Sequence, residues 1–143
     1  PWHFWVIAVF ALVLSAGGAW DYLMTQTENE QYLGGMDQSL RVFFREAPLW
    51  FDAAWAISVW SIVAAAVLLL IRSRHAVVAF GVSLIGFMVS AIWPIAKASG
   101  LMQGLLPPTP SILLMTIVSL IGAIVGLSFL AYARAMRRRG VLR

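Results

Sequence analysis

Four times along the chain, about twenty residues pass with almost no charge: residues 2–20, 52–71, 76–96 and 111–133. Asp52, at the start of the second run, is the single charged residue in all four. A bilayer core about 30 Å thick is crossed by roughly 20 helical residues, each rising about 1.5 Å. Every run is therefore long enough for one crossing. The chain has 143 residues, of which 62% are hydrophobic and 11% charged, against roughly 45–50% and 25% in an ordinary soluble domain. A soluble core of this size could not hide so much apolar surface from water. The predicted fold class is all-α: an integral membrane four-helix bundle with a short amphipathic helix on its outer surface. One transmembrane domain is expected over residues 1–143. Its spans lie at about 2–24, 48–71, 76–97 and 110–133, with an outer loop at 25–47 and a basic cytoplasmic tail at 134–143.

The first run carries Trp2 and Trp5 at one end and Trp20 and Tyr22 at the other, as interfacial aromatic belts do. A signal peptide is the rival reading of this run. Its apolar stretch is too long for one, and no Lys or Arg opens it, so a retained helix is expected. Lys and Arg accumulate on the cytoplasmic side of a membrane protein. Seven of the ten lie in the turn "RSRH" and the tail "ARAMRRRGVLR", whereas Arg41, Arg45 and Lys97 fall at the opposite ends of the spans. Both termini are thus expected on the cytoplasmic side, with the six acids on or near the outer side. Net charge +4 and a pI near 10.4 could point to nucleic acid. The placement of the charges argues instead for a topology anchor, with Arg137, Arg138 and Arg139 meeting lipid headgroups.

The outer loop is too long to lack structure. "TENE" offers a capping box with Thr27 as N-cap and Glu30 three residues on, closed by Gly34. Asp37 can cap a second helix, on which Leu40, Phe43, Phe44 and Ala47 share a face opposite Gln38, Arg41 and Arg45. Such a helix is expected to lie on the outer membrane surface. Pro48 suits the start of the second span. The other outer loop, "KASGLMQGLLPPTP", is stiffened by three prolines.

Helices in lipid associate through close packing of small residues, and each span has a small-residue stripe. The glycines expected at packing seams are Gly18, Gly86, Gly122 and Gly126, the last two forming GxxxG. Mutual packing is one use of these stripes; a seam for a partner protein, most naturally at Gly122 and Gly126, is the other. Pro94 should kink the third span, because it cannot donate to the Ser90 carbonyl.

Asp21, Asp52 and Lys97 come to one depth near the outer interface of an antiparallel bundle. With Arg41 and Arg45 they form the expected outer polar cluster. Asp21 sits where the helix dipole disfavours an anion, so a cationic partner is predicted: Lys97 first, Arg41 or Arg45 second. His3 and His75 lie near the other interface, where axial ligation of haem or a pigment metal is conceivable. Simple headgroup contact is the plainer reading, and no cofactor is predicted. Thioethers of Met24, Met36 and Met102 could bind Cu(I), but no cysteine or histidine accompanies them. No metal site is expected. With no cysteine, disulfides are excluded too. The outer side lacks a histidine base for a nucleophile, and no phosphate-cradling glycine loop or zinc spacing occurs. An enzyme is not expected.

At "DYLMTQTENEQY", "APLWFDAAWAISVW" and "LLLIRSRHA" the chain resembles small proteobacterial four-helix inner-membrane proteins, often labelled hypothetical or sugar transporters. The resemblance implies an inner membrane and four helices, and little chemistry. Members of that group can carry a polar His-Asn pair in the third span, where this chain reads "AIWPIA". The expected function is a non-catalytic accessory or structural subunit packing against a larger bioenergetic (photosynthetic or respiratory) or transport complex. The alternative is a small-solute transporter or exporter acting as a homo-oligomer. The expected partners are the lipid bilayer and other membrane protein, not nucleic acid.

Overall fold

The computed structural model describes residues 2–99 and 110–143. The proline-rich stretch of the second outer loop, with Met102, lies outside the described residues. Among the described residues six helices follow one another: α1 (Trp2–Gln26), α2 (Glu30–Gly34), α3 (Gln38–Arg45), α4 (Leu49–Leu70), α5 (Ala76–Ala98) and α6 (Pro110–Arg138). Among the described residues there is no strand. The fold is all-α, and α1, α4, α5 and α6 are each long and apolar enough to cross a membrane. An even number of long antiparallel helices puts both termini at one end, called here the terminal end. The α1–α4 connection and the start of α6 lie at the other, called the loop end.

Three of the helices, α1, α4 and α6, stop where the chain makes a left-handed residue and folds its next amide back onto the last turn. After α1, Glu28 has φ 49° and the Asn29 N–H reaches the Met24 carbonyl at 3.2 Å. After α4, Arg72 has φ 58° and the Ser73 N–H reaches the Leu68 carbonyl at 2.8 Å. After α6, Gly140 takes the same role at φ 70°, with the Val141 N–H on the Met136 carbonyl at 3.0 Å. Only the last of these positions carries the residue that adopts this conformation freely; a side chain there costs about 1–2 kcal/mol. The predicted Thr27 cap is corrected by this arrangement. α1 runs on to Gln26, so the Thr27 hydroxyl bonds back to the Leu23 carbonyl at 2.7 Å. Asn29 caps α2 instead, its side-chain oxygen accepting the Tyr32 N–H at 3.0 Å.

The long helices pack in sequence order, α1 on α4, α4 on α5 and α5 on α6. At the terminal end α6 also comes round to α1. Phe10 and Phe129 meet there with ring centroids 6.3 Å apart, and His3 Nδ1 lies 3.0 Å from the Tyr132 hydroxyl. The main core fills this half with Phe4, Leu69, Phe80, Phe129 and Met136. A second core at the loop end joins Phe43 of α3 to Phe51, Trp93 and Ile112. So α3 is amphipathic as expected, but Phe43 on its apolar face turns onto the bundle.

Small residues set the closest approach. A Cβ at Gly86 would stand 3.0 Å from the Ala54 carbonyl oxygen and 3.0 Å from the Ser58 nitrogen, both backbone atoms of α4. Beside it, the Ser83 hydroxyl donates to the Ser58 carbonyl at 2.9 Å. Gly122 and Gly126 receive side chains of α5: a Cβ at Gly122 would meet Phe87 Cζ at 2.6 Å, and one at Gly126 Leu84 Cδ1 at 3.2 Å. The GxxxG is therefore filled from within the chain and is not a free seam for a partner. Gly18 is corrected in the opposite sense. It is exposed, and among the described residues neither it nor Gly17 has a neighbour within 4 Å of an added Cβ. Pro94 is buried inside α5, which continues to Ala98.

The basic tail is not a loose extension. α6 continues to Arg138, beyond the predicted end at 133, and Leu142 is buried. The final residue pairs with the α4–α5 turn, the Arg143 N–H donating to the Arg72 carbonyl and the Arg74 N–H to the Arg143 carbonyl, each at 2.8 Å. The Arg72 guanidinium lies 5.6 Å from the Phe4 ring centroid and 5.2 Å from that of Trp5. Arg137, Arg138 and Arg139 remain exposed at this end.

Candidate functional site

The loop end gathers the acids of the chain, and it divides into two cavities. The expected single cluster of Asp21, Asp52, Lys97, Arg41 and Arg45 does not form. α4 stands between α1 and α5, so the carboxylate ending α1 and the ammonium ending α5 belong to different seams. Asp21 Oδ1 accepts the Tyr32 hydroxyl at 2.5 Å. Lys97 donates instead to Glu46 Oε2 at 3.1 Å, with Nζ 4.8 Å from the Trp93 ring centroid. Both predicted partnerships of Asp21, with Lys97 and with the arginines, are thus corrected.

Lys97 and Glu46 border the smaller cavity, about 370 Å³, with Phe43 and Ile112 beneath them. Lys97 is only 7% exposed while Glu46 is 53% exposed. The ammonium is buried by the indole of Trp93 and reaches water through its carboxylate partner. Nearby, Asp37 opens α3 by position, yet its carboxylate accepts from the hydroxyls of Ser39 and, at 2.9 Å, Ser111. Those two bonds, that from Ser39 first, hold its pKa below the ordinary value of 3.8. The second one ties α3 to the first turn of α6.

The larger cavity, about 650 Å³, lies between the last turn of α1, the short helices and the first turn of α4. Asp52, Arg41 and Arg45 of the predicted cluster do meet here, joined by Glu28, Glu30 and Thr25. Arg41 is spent on the loop itself. It donates to the carbonyls of Met36 at 3.1 Å and Gly34 at 3.3 Å, fixing the α2–α3 turn. Asp52 accepts one long bond from Gln26 Nε2, at 3.3 Å. Neither the Arg45 guanidinium nor the side chains of Glu28 and Glu30 form a hydrogen bond or ion pair among the described residues. Thr25 is buried, and its hydroxyl has no partner among the described residues.

Tyr32, Glu46, Thr25 and Ser111 are among the participants missed by the sequence reading. Attention to opposite charge alone could not find a phenol, and a threonine in an apolar helix carries no signal of its own. Glu46 had one, lying one helical turn beyond Phe43, which faces the bundle. His3 and His75, the sequence candidates for a pigment or haem, hydrogen-bond through Nδ1 to Tyr132 and to Ser73. Among the described residues no three of His, Cys, Asp and Glu come together as a metal would need. Compared with known proteins, the chain matches no family model, no curated protein and no solved structure.

Proposed function

We propose that this protein is a non-catalytic accessory subunit of a larger bioenergetic or transport complex in a bacterial inner membrane. Both termini face the cytoplasm in this reading. The observation that carries it is the unfilled small-residue surface of α1, where Ala16, Gly17 and Gly18 are exposed and no side chain among the described residues comes within 4 Å of a Cβ added at either glycine. Small residues let helix backbones approach closely in lipid, where association has no hydrophobic drive of its own. Gly86, Gly122 and Gly126 are already occupied from within. The loop-end half of α1 is thus a place left for a foreign helix.

An oligomeric solute transporter finds less support. Transporters bind substrate near the membrane midplane, and the middles of these four spans carry no Lys, Arg, Asp or Glu. Gentle solubilisation followed by native mass spectrometry tests the accessory reading. The wild type should travel with a stoichiometric larger partner, and Gly18→Leu should travel alone while its own unfolding temperature is unchanged. A wild type recovered as a clean monomer overturns the reading. The orientation is tested separately. The chain lacks cysteine, so single cysteines placed at Ser39 and Val141 should be labelled from the periplasm and the cytoplasm respectively.

A further inference from the structure

We propose that the 650 Å³ cavity at the loop end binds a zwitterionic group pairing a primary ammonium with a phosphate, the chemistry of a phosphoethanolamine headgroup. The inference does not depend on the accessory reading and would hold for a monomer.

The argument begins with charges that the fold has brought together without using. Arg45, Glu28 and Glu30 line one cavity with Asp52, and the side chains of the first three have no hydrogen-bonded or ionic partner among the described residues. Arg41 is held by two backbone carbonyls. One free guanidinium thus faces three carboxylates. A lone anion would meet a net negative wall, and a lone cation would leave Arg45 idle. A zwitterion engages both, through charge-assisted hydrogen bonds, the strong kind. The carboxylates favour a primary over a quaternary ammonium, because only the former has N–H groups to donate.

A second observation is independent of the charges. Thr25 is 8% exposed, forms part of the cavity wall, and its hydroxyl is unpartnered among the described residues. A buried hydroxyl without a partner is unfavourable, and a phosphate oxygen reaching it once the Thr25 side chain turns into the cavity would satisfy it. Depth and size agree. The cavity lies where α1 ends and α4 begins, at the loop end where Tyr22 of α1 meets Trp55 of α4 with ring centroids 5.0 Å apart. Aromatic residues at span ends mark the headgroup level. A volume of about 650 Å³ falls in the range of small-ligand sites, roughly 300–1,000 Å³. Phe44 and Leu33 supply an apolar wall for the carbon atoms between and beyond the charged groups.

The test compares lipids on the unaltered protein first. Purified wild type is exchanged into nanodiscs containing equal phosphatidylethanolamine and phosphatidylcholine, then released and read by native mass spectrometry. Phosphatidylethanolamine should be retained about tenfold over phosphatidylcholine, the discrimination expected from one charge-assisted hydrogen bond. Arg45→Gln and Glu30→Gln, both exposed positions, should each abolish the preference with helicity unchanged. A second arm titrates lipid-free protein in detergent with phosphoethanolamine. Binding there without lipid preference supports the same site with a soluble zwitterion as its source. Equal retention of the two lipids together with no binding of phosphoethanolamine overturns the proposal. So does a preference that survives both substitutions.

Discussion

Tyr32 donates its hydroxyl hydrogen to Asp21 Oδ1 at 2.5 Å, pinning α2 to the last turns of α1. The hydrogen bond to Asp21, then burial, then the negative charge of Asp21 raise the phenol from 10.0 to about 12. A pKa raised by folding means that the neutral form is the one stabilised. The contribution is therefore complete below pH 10 and disappears as pH climbs towards 12. Tyr32→Phe should lower stability by about 1 kcal/mol near neutrality. The gap between wild type and variant should close between pH 10 and 12. Thermal unfolding of both proteins across pH 8–12 reads this directly; a gap that stays constant refutes the bond as a contributor.

Gly86 and Gly18 predict opposite outcomes for the same substitution. At Gly86 the added methyl meets backbone of α4 at 3.0 Å, and backbone cannot swing aside. Overpacking of this kind costs about 1–3 kcal/mol. At Gly18 the methyl enters open space, and alanine is the better helix former by about 1 kcal/mol. Chemical denaturation in detergent should therefore show Gly86→Ala destabilised and Gly18→Ala equal to or above wild type.

These glycines also show what the sequence could and could not reveal. Four spans, their order and the existence of α2 and α3 were legible because length and hydrophobic run are properties of each segment alone. Phe43 was placed correctly on the apolar face of α3 because helical periodicity is local too. Which small-residue stripe meets which helix is not local. Gly18 and Gly86 look alike in sequence and differ only through the neighbour beside them. The same holds at the loop end, where Asp52, Arg41 and Arg45 do share a cavity while Asp21 and Lys97 part company. Depth could be read from span ends, but adjacency around the bundle could not. Without it, the nearest opposite charge on paper was the wrong partner.

Lys97 and Glu46 should respond unequally to neutralisation. Glu46→Gln leaves a buried ammonium beside Trp93 with its anion gone. Because Glu46 is 53% exposed, water screens the loss, and a penalty of about 1 kcal/mol is expected. Lys97→Met removes the charge together with its desolvation cost and keeps an unbranched chain against the indole, so it should be close to neutral. In the double variant Glu46→Gln should then cost almost nothing further. Unfolding measurements on the four proteins of this cycle test the ordering. A large loss in Lys97→Met with none in Glu46→Gln would assign the seam to the contact between ammonium and Trp93.

Asp37 predicts an acid-sensitive attachment of α3 to α6. Its carboxylate accepts from Ser39 and Ser111, and both bonds depress its pKa below 3.8. For a carboxyl depressed by folding, the stabilisation is complete above the unfolded value and is lost as pH falls through the folded one. The contact should therefore hold at pH 5 and weaken as pH falls below 3.8. Asp37→Asn keeps an acceptor oxygen but cannot titrate, and Ser111→Ala removes the link to α6. A fluorophore pair on α3 and the first turn of α6 should report separation on acidification in the wild type. Asp37→Asn should show no transition in that range. Ser111→Ala should be separated at every pH, and a wild-type profile in that variant would place the acid response elsewhere than in this bond.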